Sequence, residues 1–209
     1  MPEYTFPFDT CETPRPSGIA QPWSALINVV NCLVILYFLL RSKTPPVFLV
    51  LLSFFMFEAF HTFSHIKHIQ GNIQIYIVHI LAYFANFSFA WYAYNRALRI
   101  PSTAFCLWYL ALISMDLYAF IYLPLFVYIL TQATMFLSTL SYYYKDFTRV
   151  LRERIPWIML VSFITVGLVT NESYHCTRML ATIPHFPFHI FIELSGLVLL
   201  CLISRGISE

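Results

Sequence analysis

The sequence predicts an all-α integral membrane protein, a bundle of seven transmembrane helices. The 209 residues are 59% hydrophobic and only 11% charged, whereas a soluble domain carries about 25% charged residues. The chain also contains successive apolar stretches of roughly 20 residues, the length that an α-helix needs to cross a bilayer core of about 30 Å. These two observations exclude an ordinary soluble domain.

Each apolar stretch is assigned as one helix of a single membrane domain over residues 24–204, between an N-terminal tail (1–23) and a C-terminal tail (205–209). The fourth and fifth helices share one apolar stretch, which we divide at Met115-Asp116 because a tight turn fits there. Pro124 is expected to kink the fifth helix, because proline disrupts the preceding helical turn. The predicted helices lie at about 24–40, 46–66, 73–94, 102–117, 119–142, 155–171 and 184–203.

The basic residues predict the orientation of the bundle. Only Arg15, Lys67 and Arg178 fall on the side of the N-terminal tail, and the other nine of twelve Lys and Arg residues fall on the opposite side. Because cytoplasmic loops are enriched in Lys and Arg, we expect an extracytoplasmic N-terminus and a cytoplasmic C-terminus. The net charge of +2 gives no case for nucleic-acid binding.

All seven histidines fall at one end of the predicted bundle, where helix two ends and helix seven begins. His61 and His65 are four residues apart, as are His185 and His189, so each pair shares a helical face. Two imidazoles from one helix and a third from a facing helix form a three-nitrogen site with one open position, as in catalytic zinc sites. His65 and His68 are alternative ligands from helix two, and for His79 and His175 we expect interfacial or hydrogen-bonding roles.

Polar residues inside the predicted spans are costly in lipid and usually face the bundle interior. Glu58 and Glu193 are each one turn from a histidine, so they are expected to accept hydrogen bonds from imidazole N–H groups. Glu58 is alternatively a catalytic base, and Glu193 alternatively makes a packing hydrogen bond. Ser64, between the histidines of helix two, and Asn72, at the start of helix three, complete the set of candidate catalytic residues.

Several short motifs, taken in order, resemble those of the alkaline ceramidases and their bacterial relatives. The resemblance spans the whole chain and extends to the wider superfamily that includes the adiponectin-receptor-like proteins. It implies a zinc-dependent amidase that hydrolyses ceramide to a fatty acid and a sphingoid base, with zinc bound by His61, His185 and His189. The motifs are Asp9-Thr10-Cys11-Glu12, Gly18-Ile19-Ala20-Gln21-Pro22-Trp23 with Asn28, Phe60-His61-Thr62, and Pro184-His185-Phe-Pro-Phe-His189-Ile190.

The chain departs from this family at two expected catalytic positions. Phe57 stands where the family has a serine, and Asn72 stands where it has an aspartate. Glu58, next to the missing serine, is one replacement for the carboxylate, and we prefer it because His61 keeps its motif. Alternatively the register shifts, so that Ser64 and His68 take the serine and histidine positions and His79 takes that of the aspartate.

The resemblance also implies a second ion and a disulfide bond. Asp9, the Thr10 carbonyl and Glu12 match the calcium-binding segment of the ceramidases, whereas Pro14 and Gln21 replace two further family ligands. Calcium takes six to eight oxygen ligands, so this second site is expected to be incomplete. The family has a disulfide at the place of Cys11 and Cys176, the two cysteines outside the predicted spans, and an extracytoplasmic location permits such a bond.

Three functions stay open from the sequence. The first, and the one we expect, is a ceramidase-like zinc hydrolase acting on ceramide or a related membrane lipid. The second is a lipid-binding or receptor-like superfamily member that keeps zinc for structure, which Phe57 and Asn72 favour. The third is a haem redox protein with axial histidines, although no histidine lies at the inner end of the bundle. The expected location is an endomembrane (ER or Golgi) or the plasma membrane, with the metal site facing the lumen or exterior.

Overall fold

The computed structural model describes residues 11–12, 14–15, 17–67, 72–123, 125–183 and 187–209. Over these residues the chain forms seven α-helices, and a 3-10 turn at Tyr144–Asp146 connects the fifth to the sixth. The helices are α1 (Pro22–Leu39), α2 (Pro45–Lys67), α3 (Asn72–Ala97), α4 (Thr103–Tyr122), α5 (Leu125–Tyr142), α6 (Arg149–Thr182) and α7 (His189–Ser208).

Over the described residues, six of these helices are long and apolar enough to cross a membrane, namely α1, α2, α3, α4, α6 and α7. Large apolar side chains on the outer surface of the bundle are exposed, among them Leu33, Trp157 and Phe163. Such a surface is stable when lipid rather than water surrounds it, because lipid tails impose no hydrophobic penalty. The structure therefore supports a multi-pass helical membrane protein, while the seventh span and the orientation stay predictions.

The turn predicted at Met115-Asp116 is wrong. α4 continues without a break to Tyr122, and the chain reverses before α5 begins at Leu125. Asp116 is fully buried, and it accepts hydrogen bonds from Thr131 and Gln132 of α5. These donors stabilise the carboxylate inside the bundle, where the sequence alone indicated a turn. Pro124, which was expected to kink the fifth helix, lies outside the described residues.

The sixth helix extends beyond its predicted bounds of 155–171 at both ends, from Arg149 to Thr182. At its start, the Thr148 side chain accepts a hydrogen bond from the Leu151 N–H at 3.2 Å, which caps an otherwise unpaired backbone donor. At its other end the helix continues through polar residues that follow the apolar stretch. The seventh helix begins at His189 rather than at 184, and residues 184–186 lie outside the described part of the chain.

The helices pack into a closed ring with one helix outside it. α1, α2, α3, α5, α6 and α7 contact one another in that order, and α7 returns to α1. α4 packs against α5 on the outside of the ring. α6 and α7 approach closely at Gly206, where an added Cβ would lie 2.6 Å from Leu151 Cδ1.

The two ends of the bundle differ in what they bury. One end, which contains the start of α2 and the end of α7, is filled by large apolar side chains such as Leu51, Phe89 and Leu151. The other end, which contains the end of α2 and the start of α7, buries polar side chains, including His65, His189 and Glu193. Apolar packing at the first end therefore holds the helices together, and the second end carries the candidate site.

Candidate metal centre

Four side chains from α2 and α7 converge inside the polar end of the bundle. His61 and His65 lie on successive turns of α2, and His189 and Glu193 lie on the first two turns of α7. This i, i+4 spacing places each pair on one helical face, and the two faces meet. One ligand atom from each of the four residues lies within 4.8 Å of all the others. Three of the four residues are buried and His61 is half-buried.

The Nε2 atoms of the three histidines surround one oxygen of Glu193. Glu193 Oε1 lies 2.8 Å from His189 Nε2, 3.3 Å from His65 Nε2 and 3.7 Å from His61 Nε2. The Nε2 atoms of His61 and His65 are 3.1 Å apart. Three imidazole nitrogens and a carboxylate oxygen therefore surround one small volume.

This arrangement fits a divalent metal ion. Ligands of a tetrahedral zinc ion, at zinc–nitrogen distances of about 2.0–2.1 Å, lie roughly 3.3 Å from one another, and the observed separations bracket that value. His189 Nε2 and Glu193 Oε1 are both buried and lie 2.8 Å apart. A metal ion bound by both atoms would replace this contact and would be held by the carboxylate and the imidazole together. The buried group can thus hold a metal ion.

Two neighbouring side chains orient the imidazole rings. Gln21 Oε1 lies 2.8 Å from His65 Nδ1, and Glu172 Oε2 lies 2.8 Å from His189 Nδ1. Acceptors at Nδ1 place the ring proton there and leave the Nε2 lone pair directed at the centre. Such contacts to metal-binding histidines fix the tautomer and the ring position.

The N-terminal tail packs over this centre. The Cys11 N–H donates to Glu172 Oε1 at 2.7 Å, and a disulfide joins Cys11 to Cys176 one turn further along α6, which confirms the predicted bond. Gln21 Nε2 donates to the Glu12 carbonyl at 2.8 Å, which turns Gln21 Oε1 towards His65. The same tail residues that close the site therefore also hold its ligands.

The structure places part of the predicted ligand set at the centre. His61 and His189 belong to it, and His65, expected only as an alternative to His61, joins them. The predicted ligand His185 and the alternative His68 lie outside the described residues. Glu193, expected to accept an imidazole hydrogen bond, lies among the ligand atoms themselves.

Of the predicted catalytic residues Glu58, Ser64 and Asn72, the first two have described side chains. Glu58 Oε2 accepts a hydrogen bond from Asn31 Nδ2 at 3.2 Å, and Glu58 lines a cavity next to the centre. The Ser64 hydroxyl donates to the Phe60 carbonyl at 2.9 Å within its own helix. Asn72 opens α3, but its side chain lies outside the described part of the structure.

Glu12, the one described acidic residue of the predicted calcium segment, is hydrogen-bonded to the start of α1. Glu12 accepts hydrogen bonds from the Trp23 and Ser24 N–H groups, both at 2.9 Å, and from the Ser24 hydroxyl at 2.5 Å. Its carboxylate therefore pairs with free N–H groups at the start of α1, where a negative charge is also favoured by the helix dipole. Asp9 and Thr10 lie outside the described residues.

Gln21 and Glu172 were not predicted from the sequence as residues that orient the ligands. Gln21 is 44 residues from His65 along the chain, so only the folded structure brings them together. Glu172 directly follows the predicted sixth span, where a carboxylate can reach water at the membrane surface, so its position along the chain does not indicate a buried partner. Neither of the remaining histidines joins the centre: His79 lies 3.8 Å from Asp116, and His175 is exposed.

A cavity of about 290 Å³ lies beside the metal centre, inside the ring of helices. Its wall is mostly apolar and includes Phe57 and Leu200, and it carries the carboxylate of Glu58. The Phe57 ring is 6.0 Å from the His61 ring. A long apolar chain lying in this cavity would thus be close to the metal ligands.

Comparisons with protein-family models, with curated proteins and with solved structures find no match to this chain.

Proposed function

We propose that this protein is a membrane-embedded, zinc-dependent hydrolase that cleaves the amide bond of ceramide or a related lipid amide. The observation that carries the proposal is the convergence of the His61, His65 and His189 Nε2 atoms on one buried point. These three residues would hold the ion, which acts as a Lewis acid on a carbonyl oxygen and lowers the pKa of a bound water. The resemblance of the chain's motifs to those of the alkaline ceramidases supports ceramide as the substrate.

The surrounding residues perform the positioning and proton transfer in this proposal. Gln21 and Glu172 keep the His65 and His189 rings in the ligand tautomer. Glu193 accepts a proton from the attacking water as its oxygen bonds to the carbonyl carbon. The same carboxylate then delivers that proton to the nitrogen as the carbon–nitrogen bond breaks, so that a fatty acid and an amine leave.

In this proposal the apolar cavity holds a hydrocarbon chain of the lipid. Because its wall is mostly apolar, the cavity excludes water from the reacting atoms, which strengthens electrostatic interactions there. Glu58 lies in the wall and faces Asn31, a position from which it can accept a hydrogen bond from the substrate. The distribution of basic residues supports an orientation in which this end of the bundle faces the lumen or the exterior.

Glu193 favours a second candidate function. If its carboxylate is a fourth ligand, the centre has four protein ligands, which is typical of structural rather than catalytic zinc. Phe57, which stands at the place of the family's serine, also favours this second function. The protein would then be a lipid-binding or receptor-like member of the same superfamily that keeps zinc for its fold.

The variant Glu193→Gln separates the two functions when zinc content and ceramide hydrolysis are both measured on purified protein. If Glu193 transfers protons, the variant keeps its zinc but loses roughly 10²- to 10⁴-fold in hydrolysis. If Glu193 is a fourth ligand of a structural site, the variant binds zinc more weakly and the wild type does not hydrolyse ceramide. Glu153→Gln is the matched control, because Glu153 is exposed near the start of α6.

A further inference from the structure

A second buried polar group connects α3, α4 and α5. Asp116 of α4 is fully buried, and a carboxylate at that depth is costly unless donors surround it. Its Oδ1 accepts a hydrogen bond from the Thr131 hydroxyl, and its Oδ2 accepts one from Gln132 Nε2 at 2.9 Å. Both carboxylate oxygens are therefore satisfied by α5.

This carboxylate sets the direction of the next two hydrogen bonds. A carboxylate only accepts, so Gln132 must present its Nε2 group to Asp116 and its Oε1 atom to the other side. Gln132 Oε1 accordingly accepts from Asn86 Nδ2 at 2.7 Å, and Asn86 Nδ2 also donates to the Ala82 carbonyl at 3.2 Å. This hydrogen-bonded relay of Asp116, Gln132 and Asn86 leaves one atom of Asn86 unused, the acceptor Oδ1.

The relay ends at the cavity beside the metal centre. Asn86 and Gln132 both line that cavity, with Glu58 in the same wall. Asn86 Oδ1 is buried and has no hydrogen-bond partner among the described residues. An unpartnered buried acceptor is destabilising, and a set of hydrogen bonds that only held α3 and α5 together would gain nothing from leaving it unpaired.

We propose that Asn86 determines specificity by accepting a hydrogen bond from a hydroxyl or amide N–H group of the lipid in the cavity. Asp116 and Gln132 are positioning residues, which hold Asn86 with its acceptor available. The substrate class is thereby narrowed to lipids that carry a donor beside their hydrocarbon chains. This inference rests on the proposed function only in taking the cavity as the lipid site.

The test measures lipid binding rather than turnover, so that it does not depend on catalysis. Three probes compete for purified, zinc-loaded protein against a photoactivatable ceramide: ceramide, its 1,3-di-O-methyl derivative and its N-methyl derivative. We expect one of the two methylations to weaken binding to the wild type about tenfold, which is the effect of one lost hydrogen bond. That difference disappears in Asn86→Leu.

Asn95→Leu is the matched control. Asn95 lies on the same helix and makes the same type of bond, to the Trp91 carbonyl at 2.8 Å, but it does not line the cavity. It should keep the wild-type selectivity. Asp116→Asn gives a second arm that removes no cavity side chain: Gln132 is then free to reverse, and selectivity falls while binding of ceramide persists.

The outcomes distinguish this inference from the proposed function. Equal binding of all three probes by the wild type, or unchanged selectivity in Asn86→Leu, overturns the inference even if ceramide is hydrolysed. Selectivity that depends on Asn86 supports the inference, and if no hydrolysis accompanies it, only the proposed catalysis is wrong. Should Asn86→Leu not fold, Asp116→Asn decides: unchanged selectivity in that variant also overturns the inference.

Discussion

Glu193 and Asp116 are both carboxylates buried in this bundle, yet their surroundings differ. Both oxygens of Asp116 accept hydrogen bonds, from Thr131 and Gln132. Glu193 Oε1 instead lies 2.8 Å from His189 Nε2 and 3.3 Å from His65 Nε2. The first carboxylate is satisfied by hydroxyl and amide donors, and the second contacts imidazole nitrogens that can also bind a metal ion.

This difference separates a positioning group from a binding centre. Donors around Asp116 stabilise its charge without any ligand. The relay of Asp116, Gln132 and Asn86 is therefore complete except at Asn86 Oδ1. The imidazole nitrogens and the carboxylate around Glu193 Oε1 are held together either by protons or by a bound cation. Because a divalent ion can contact all four residues at once, this group is expected to gain stability when an ion binds.

Removal of the metal is the largest expected effect that distinguishes the two groups. Zinc at a free concentration about 1,000 times its Kd contributes about 4 kcal/mol to stability, so chelation should lower the melting temperature by on the order of 10 °C. His65→Ala should abolish this chelator-induced shift, and Asp116→Asn should retain it. Thermal unfolding in detergent, with and without chelator, measures the shift; an equal shift in His65→Ala would contradict the assignment.

Two glutamines, the buried Gln21 and the half-buried Gln132, give a sharper comparison. Gln21→Met removes the acceptor from His65 Nδ1, and loss of such a contact typically weakens metal binding 10- to 100-fold. Gln132→Met is the same substitution in the relay and should leave zinc affinity unchanged. Competition with a chromophoric zinc chelator reports both affinities. Similar losses in the two variants would show that Gln21 acts through the fold alone.

Replacement of Asp116 should affect stability but not metal content. Asp116→Leu leaves the Gln132 amide without this acceptor, at a cost of about 1–2 kcal/mol in the interior of a membrane protein, whereas the Thr131 hydroxyl keeps the Tyr128 carbonyl at 2.7 Å. Chemical unfolding in mixed micelles measures the change, and elemental analysis should still find the wild-type zinc content. Loss of zinc from this variant would mean that the two groups are not independent.

The smallest expected effect lies at the opposite end of the bundle from both groups. Leu98 follows α3 with a φ of 51° and is exposed, and this left-handed conformation costs a side-chain-bearing residue about 1–2 kcal/mol. Leu98→Gly relieves that strain but adds chain entropy to the unfolded state. We expect a net gain of about 0.5–1 kcal/mol with zinc content unchanged. A loss of stability would show that Leu98 makes a contact worth more than the strain.

Local spacing made part of the metal centre predictable from the sequence. The four-residue separation of His61 and His65 places both imidazoles on one face of α2 whatever the rest of the chain does. His189 was predictable in the same way, because the start of helix seven must face the end of helix two. The spans followed from apolar stretches whose length matches the bilayer.

Contacts between distant parts of the chain were not predictable. Asp116 indicated a turn because a charged residue interrupts an apolar stretch there, but its donors lie 15 and 16 residues further on, in α5. The pairing of Glu172 with both Cys11 and His189 likewise depends on how the tail packs over α6 and α7. A single sequence contains the residue types of such contacts but not their pairing.

The most direct test of zinc binding by His61, His65 and His189 is the zinc content of purified protein, measured by elemental analysis. We expect near one zinc per chain in the wild type and in His175→Ala, whose histidine is exposed on α6. We expect almost none in His189→Ala. Full zinc in His189→Ala would contradict zinc binding by these residues, as would a wild type without zinc. Iron in place of zinc, with absorbance near the Soret band, would indicate a haem protein instead.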